Sequence, residues 1–366
     1  MPRILVNLLQ STGTKGGIEI YARELYKRLG ALDTGYEFIG YASKELAASG
    51  ADWFPGRVID SGISGENRFS WAMGELFSVS REARRQNADL IHGPAMLGPL
   101  RSSMPTVITF HDLLYFSHPE LMQTKLFTGP VKWMERRGAA NATRIITISE
   151  YSERAILKYL KFPKDRIDVI PLAGRAQAKT APMTRVDDLF LALGQRSPYK
   201  NFPTIVKAWS HIPAESRPRL VITGSFGDDP LRPLVEQLGL EQRIDLRSWV
   251  SSEELAELFG TATGLIDSTL ATGFSMPTIE AMMIGLPVLL ADNEILREVG
   301  GDAADYFGAG DPVDLARAVQ AFAADPARRA ELSAAGLARA ATFSWDKVAE
   351  KTAESFAKAL ATPKRS

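Results

Sequence analysis

Cysteine is missing from this 366-residue chain, net charge is missing too, and no apolar run approaches the roughly 20 residues that would cross a bilayer. Without cysteine there can be no disulfide, no thiolate nucleophile and no cysteine-ligated zinc or iron–sulfur site. The 43 Lys and Arg residues balance 43 Asp and Glu residues. A chain-wide basic field is therefore absent, and no nucleic-acid partner is expected. No charged-then-apolar leader precedes the strand-like start at Met1-Pro2-Arg3-Ile4. The Asn141-Ala142-Thr143 sequon is then accidental, and the expected location is the cytoplasm. No His/carboxylate cluster has metal-ligand spacing, so neither metal nor cofactor is expected.

What is present is alternation. Short β-branched runs (Ile4–Leu9, Glu37–Tyr41, Arg57–Asp60, Asp89–His92, Val107–His111, Arg144–Ser149, Asp168–Pro171) are separated by amphipathic stretches. One of these, Phe69–Gln86, places Phe69, Met73, Leu76 and Phe77 on one helical face. Such alternation predicts βαβ units and a parallel sheet. The polar segment 173–187 breaks the pattern and reads as a linker. A second series follows at Leu189–Leu193, Leu220–Thr223, Ile244–Ser248, Gly264–Asp267 and Val288–Leu290, and Ser344 opens a last amphipathic helix. The expected fold is α/β, with Rossmann-like parallel-sheet domains at 1–172 and 188–345 and a tail at 346–366. A single core rarely grows past about 250–300 residues, which also argues for two domains. Open parallel sheets bind ligands at the carboxyl ends of their strands, so the loops after strands are where chemistry is sought.

Four such loops stand out. In the first, a strand ends at Asp267, a Gly273-Phe274-Ser275 turn follows, and Met276-Pro277 opens a helix. Backbone N–H groups of Phe274, Ser275 and Met276 at a helix start suit an anion such as a diphosphate. Glu280, read as just inside the first turn, could accept hydrogen bonds from ribose hydroxyls; equally, it could only favour the helix dipole. The second loop, Gly194 to Asn201, carries Arg196 and Lys200, which could neutralise charge on a leaving diphosphate or simply lie solvated at the surface. In the third, Gly16 and Gly17 let a ligand approach the backbone closely, or merely make a tight strand–helix turn. In the fourth, His111 ends a strand, ahead of Asp112-Leu113 and His118-Pro119-Glu120. His92, also at a strand end, reads as structural.

These segments together resemble the retaining "group 1" glycosyltransferases of glycosyltransferase family 4. That family's donor motif runs Glu, Gly-Phe-Gly-Leu-Pro, a second Glu, then Ala-Met-x-x-Gly-x-Pro-Val. Gly273-Phe274-Ser275-Met276-Pro277, Glu280, Ala281-Met282, Gly285 and Pro287-Val288 are similar to it. The first Glu falls on Thr272, which has a hydroxyl and no charge. The family's Gly-Arg-x-x-x-x-Lys-Asn resembles Gly194 to Asn201, with Gln195 in the Arg place and Arg196 one step on. The His-Asp-Leu phrase resembles bacterial polysaccharide mannosyl- and rhamnosyltransferases.

The resemblance implies a GT-B architecture, two Rossmann-like domains facing each other across a cleft, with the tail helix returning to the first domain. It implies a hexosyltransferase that retains anomeric configuration. His111 would contact the donor sugar, Lys200 and Arg196 the diphosphate, and Glu280 the ribose. Gly16, Gly17, Thr272, Gly273, Phe274, Ser275 and Met276 would line the substrate site. The donor is a nucleotide diphosphate sugar, first of all GDP-mannose, with UDP and dTDP sugars as alternatives. The acceptor would be a glycan or a lipid-linked glycan. No Asp-x-Asp pair occurs, so a metal-independent reaction is expected. Basic stretches at Lys125, Lys132, Trp133, Arg136 and Arg137, and at Arg81, Arg84 and Arg85, raise peripheral contact with the inner membrane face as a further expectation. Two rival readings stay open: an epimerase or phosphorylase on the same fold, and a weakly active nucleotide-sugar-binding protein, suggested by Thr272.

Overall fold

A computed structural model describes residues 1–13, 16–122, 127–175, 185–186 and 188–362. The chain divides into two compact units. One comprises Met1–Pro119, Thr124–Leu172 and Ser344–Ser366; the other comprises Glu120–Gln123 and Ala173–Phe343.

The first unit is built on a seven-stranded sheet of β1 (Arg3–Leu8), β2 (Glu37–Ala42), β3 (Arg57–Asp60), β4 (Leu90–Gly93), β5 (Thr106–Phe110), β6 (Arg144–Thr147) and β7 (Ile167–Val169), in the order β3-β2-β1-β4-β5-β6-β7. The second carries six strands, β8 (Leu189–Leu193), β9 (Arg219–Ser225), β10 (Ile244–Ser248), β11 (Gly264–Asp267), β12 (Val288–Asp292) and β13 (Asp305–Gly308), in the order β10-β9-β8-β11-β12-β13. The pairings are parallel in both, for example Ile4↔Leu90 and Leu265↔Val288. Helices cover the faces of such sheets, so central strands are buried on both sides and read as continuous apolar runs. Every residue of β4, β5 and β11 is buried accordingly.

Order reverses between β1 and β4 in the first sheet, and between β8 and β11 in the second. Consecutive strands depart to opposite sides of these points, which leaves a crevice outside their carboxyl ends. The candidate loops after β1, β8 and β11 all lie at these two reversals.

Two expectations about helices change. The predicted helix over 69–86 is two helices, Arg68–Phe77 and Val79–Arg85, joined at Ser78. Leu76 is buried as expected, but Phe69, Met73 and Phe77 are 76%, 41% and 50% exposed. The buried face of Arg68–Phe77 runs instead through Gly74, Glu75 and Leu76. Strand β13 had no β-branched run to announce it and was not foreseen. Of the expected linker, residues 176–184 and 187 lie outside the described residues, as do Thr14, Lys15 and Lys125.

The tail helix Trp345–Ala361 starts where Ser344 Oγ accepts the Asp346 N–H at 3.2 Å. It docks within the first unit. Phe356 packs edge-on against His92 and Tyr36, with centroids 5.0 and 6.2 Å apart, and Lys358 Nζ reaches Asp168 at 3.0 Å. Phe356 is fully buried, so Phe356→Ala should cost about 3–5 kcal/mol. Phe69→Ala, at an exposed site, should stay within about 0.5 kcal/mol of wild type. Urea denaturation of the two variants checks both, and comparable losses would contradict the exposure of Phe69.

Candidate functional site

At the reversal of the second sheet, three hydrogen bonds tie the β8 and β11 loops together. Lys200 Nζ donates to Thr269 Oγ1 at 3.2 Å, Leu270 N to the Tyr199 carbonyl at 2.8 Å, and Ser268 Oγ to the Lys200 carbonyl at 2.7 Å. Lys200 ends a short 3₁₀ turn, Pro198–Lys200, and Asn201 follows in the left-handed region. Gly194 is required beneath it: its φ is +135°, and a Cβ there would sit 3.4 Å from Lys200 Cε.

The β11 end is organised by Asp267. Its Oδ1 accepts the Thr269 N–H at 3.0 Å and the Thr269 hydroxyl; its Oδ2 accepts Ser275 Oγ at 2.6 Å and Thr278 Oγ1 at 3.5 Å. Burial alone would raise this carboxyl. The Lys200 ammonium and the hydroxyls of Ser275 and Thr269 outweigh burial and hold it below the usual carboxylate range. Ser275 is the N-cap of the helix Met276–Met283, and Pro277 is in its first turn. The first N–H groups of any helix lack intrahelical partners, so this start and the Lys200 ammonium form a cationic corner. Thr272 Oγ donates to the Phe274 carbonyl at 2.9 Å and closes the Gly273-Phe274 turn. Phe274 rests edge-on against Phe343, centroids 5.7 Å apart.

Two expected ligand contacts look different in three dimensions. Arg196 is 7% exposed at its side chain and all five of its N–H bonds are spent inside the unit. Nε and Nη2 reach Asp229, with Nη2 at 2.7 Å from Oδ2, and the remaining donors reach the carbonyls of Gly194, Thr223 and Ile222. The guanidinium clamps the β8 and β9 ends to each other. Glu280 opens the second turn of its helix, not the first, because that helix begins at Met276. Its carboxylate is gripped by Arg175, whose Nε, Nη2 and backbone N lie at 2.6, 2.9 and 3.2 Å. A ribose bound there would share Glu280 with, or displace, this guanidinium.

At the reversal of the first sheet, Gly16 and Gly17 begin the helix Gly16–Ala31, with Gly16 at φ +60°. Glu19 reaches back to accept the Thr12 N–H at 3.0 Å. His111 lies just past β5 and is nearly buried. Its Nε2 donates to the Pro94 carbonyl at 2.8 Å, which leaves Nδ1 as an acceptor, and its ring meets Tyr21 edge-on at 4.9 Å. Burial lowers its pKa to about 4, so the ring is neutral at pH 7. It can accept a hydrogen bond from a hydroxyl but brings no positive charge. His92 is wholly buried, held by Tyr26 and Thr109 at 2.5 and 3.2 Å, in keeping with a structural role.

Comparison with known proteins bears on both units. Residues 15–173 match the family model described as "Glycosyltransferase Family 4", and residues 181–339 match "Glycosyl transferases group 1". The O-antigen chain mannosyltransferase B of Escherichia coli is 30% identical over 293 residues, covering 75% of this chain and 76% of that protein. The chain belongs to the group 1 glycosyltransferases of family 4. Another relative, the MMP alpha-(1->4)-mannosyltransferase of Mycolicibacterium hassiacum, is 25% identical over 303 residues, 76% of this chain and 72% of its own length. Among solved structures, sucrose-phosphate synthase from Thermosynechococcus elongatus superposes with a TM-score of 0.78 at 19% identity, covering 98% and 99% of the two chains. HepE from Anabaena, solved with UDP and glucose, gives 0.74 at 16% identity, covering 98% and 100%. These likenesses establish the GT-B fold.

Two residues of the candidate site carry no mark in the sequence analysis above. Arg175 fell in a stretch read as linker, and no pattern marks it. Asp267 could have been found, since a carboxylate ending a central parallel strand is a signal in itself.

The buried neutral histidine has a measurable consequence. Its folded pKa of about 4 lies below its ordinary 6.5, so the unfolded chain binds more protons between these values. Stability present above pH 6.5 is lost as pH falls toward 4. For His111 alone the loss by pH 5 should be about 2 kcal/mol. Urea titrations at pH 7.5 and 5.0 should show His111→Gln losing less than wild type by that amount; equal losses would contradict a buried neutral ring.

Proposed function

We propose that this chain transfers mannose from GDP-mannose, with retention of configuration, to a glycan or lipid-linked glycan during assembly of a cell-surface polysaccharide. The observation that carries this reading is the cationic corner at the second reversal, Lys200 beside the helix start at Met276. Charge builds on the departing β-phosphate as the bond to the sugar C1 breaks, and preorganised donors aimed at that charge give the largest catalytic return. In this reading Lys200 and the Phe274–Met276 amides take the diphosphate, while Glu280 takes the ribose. Within the first unit, the uncharged His111 ring is suited to a sugar hydroxyl. The acceptor oxygen attacks the face the diphosphate leaves, and its proton passes to the departing phosphate oxygen. Arg196 sets the loop that carries Lys200. The naming of the two relatives as mannosyltransferases, together with His111-Asp112-Leu113, favours mannose over the UDP and dTDP sugars.

No helix among the described residues is long and apolar enough to cross a membrane. Exposed Phe69, Met73 and Phe77, followed by Arg81, Arg84 and Arg85, support a peripheral contact with anionic lipid. A second reading, a nucleotide-sugar-binding protein without turnover, is favoured by the uncharged Thr272, whose hydroxyl is committed to its own turn.

The test is nucleotide release from a panel of GDP, UDP and dTDP sugars, with and without glycan acceptors. Acceptor-dependent release of GDP, insensitive to EDTA, is expected. Lys200→Ala should lower kcat by on the order of 10²-fold with a smaller change in donor KM. Glu280→Ala should weaken GDP binding by about 1–3 kcal/mol in calorimetry. Binding of a donor with no turnover would favour the second reading, and restoration by Thr272→Glu would assign the defect to that residue.

A further inference from the structure

We propose that Asp267 is the positioning residue for Lys200, acting through the Thr269 hydroxyl; the proposal rests on the leaving-group role given to Lys200 above. A lysine ammonium sits on a flexible four-carbon stem with three donors and no preferred plane, so its catalytic value depends on what holds it. Here, among the described residues, a single side-chain acceptor, Thr269 Oγ1 at 3.2 Å, takes one N–H. Two donors stay available for an anion.

The Thr269 hydroxyl has one proton, and it goes to Asp267 Oδ1. That donation turns the hydroxyl's lone pairs toward Lys200. Asp267 also receives Ser275 and Thr278, the hydroxyls at the helix start. The Ser275 and Thr278 bonds secure the carboxylate itself, and its effect on the ammonium runs through Thr269 alone. Asp267 does not touch the anion itself, because both its oxygens are filled by internal donors. Thr272, where the family pattern has Glu, adds no charge to this turn. The negative charge of the turn lies five residues earlier, at Asp267, behind the lysine.

The experiment is a double-mutant cycle in kcat. Asp267→Asn should lower kcat by on the order of 10–100-fold, as misplacement of a catalytic group does. It should leave GDP affinity the same or tighter, because a negative charge behind the anion site is removed. In a Lys200→Ala background the same substitution should change kcat less than about 3-fold, since coupled residues are not additive. Thr269→Val should behave as Asp267→Asn does, while Thr269→Ser should keep most activity; this pair stands in if Asp267→Asn does not fold. Full additivity in the Lys200→Ala background would overturn the proposal and leave the role of Lys200 intact. A Lys200→Ala variant with wild-type kcat would overturn both.

Discussion

A carboxylate buried at the end of a parallel strand is tolerated only if donors surround it. Asp267 meets that demand with a backbone N–H, three hydroxyls and a nearby ammonium. Much of the local structure at the second reversal follows from it. Thr269 must turn inward to supply two of the donors, which fixes the first residues after β11. Ser275 and Thr278 must face back toward the strand, which fixes where the helix Met276–Met283 begins. Lys200 must approach from β8, which is possible because β8 and β11 are neighbours at this point although 70 residues of chain separate them. Asn293 Nδ2 then binds the Thr269 carbonyl at 2.7 Å and extends the same tie to the loop after β12. A site assembled this way is preorganised: its cation and its helix start hold their places through bonds that exist before any substrate arrives.

The first unit solves a similar problem with neutral groups. Tyr21, Tyr26, His92 and Thr109 share hydrogen bonds beneath the sheet ends, and His111 turns its proton onto Pro94. Burial moves both histidines well below their ordinary pKa, so no charge has to be compensated there. Two buried carboxyls in this unit follow the same rule in the opposite direction. Burial pushes Glu75 up to about 7 and Glu135 well above its ordinary value, and each keeps one oxygen without a partner among the described residues. A carboxyl that is protonated avoids most of the desolvation cost that an ionised one would incur. The contrast is chemical: one sheet end carries a held ammonium beside a helix start, suited to an anion, the other a set of uncharged acceptors and donors suited to hydroxyls.

Alternation of β-branched runs with amphipathic stretches made both sheets legible, and twelve of the thirteen strands were placed within a few residues. Strand β13 was not, because Asp305-Tyr306-Phe307-Gly308 has neither length nor branching to set it apart from a loop. The exposed stripe on Arg68–Phe77 misled for a different reason. Helical spacing of Phe69, Met73 and Phe77 shows that they share a face, and says nothing about whether that face meets a core. At the site, glycine turns and the helix start could be read from local sequence because each depends on residues within one loop. Arg175 on Glu280 could not, since 105 positions separate the partners and only the fold brings them together. Arg196 shows the same limit: its position beside Lys200 in sequence suggested shared work, but its partner Asp229 lies on the loop after β9.

The two cations of the β8 loop illustrate why proximity in sequence is a poor guide to role. Arg196 has five donors in a rigid plane, and five acceptors surround it, so the cost of burying its charge is met and none of its hydrogen-bonding capacity remains. It is also stacked over Phe202, 4.9 Å from the ring centroid, which closes one face of the plane. Lys200, with three donors and one side-chain acceptor among the described residues, is the opposite case: held, but not satisfied. A residue that must meet charge appearing during a reaction needs that unsatisfied capacity, and a residue that must hold a loop still needs to have none. The planar fork of arginine serves the second requirement well, and in the proposed reading the point charge of lysine, oriented through Thr269 by Asp267, serves the first.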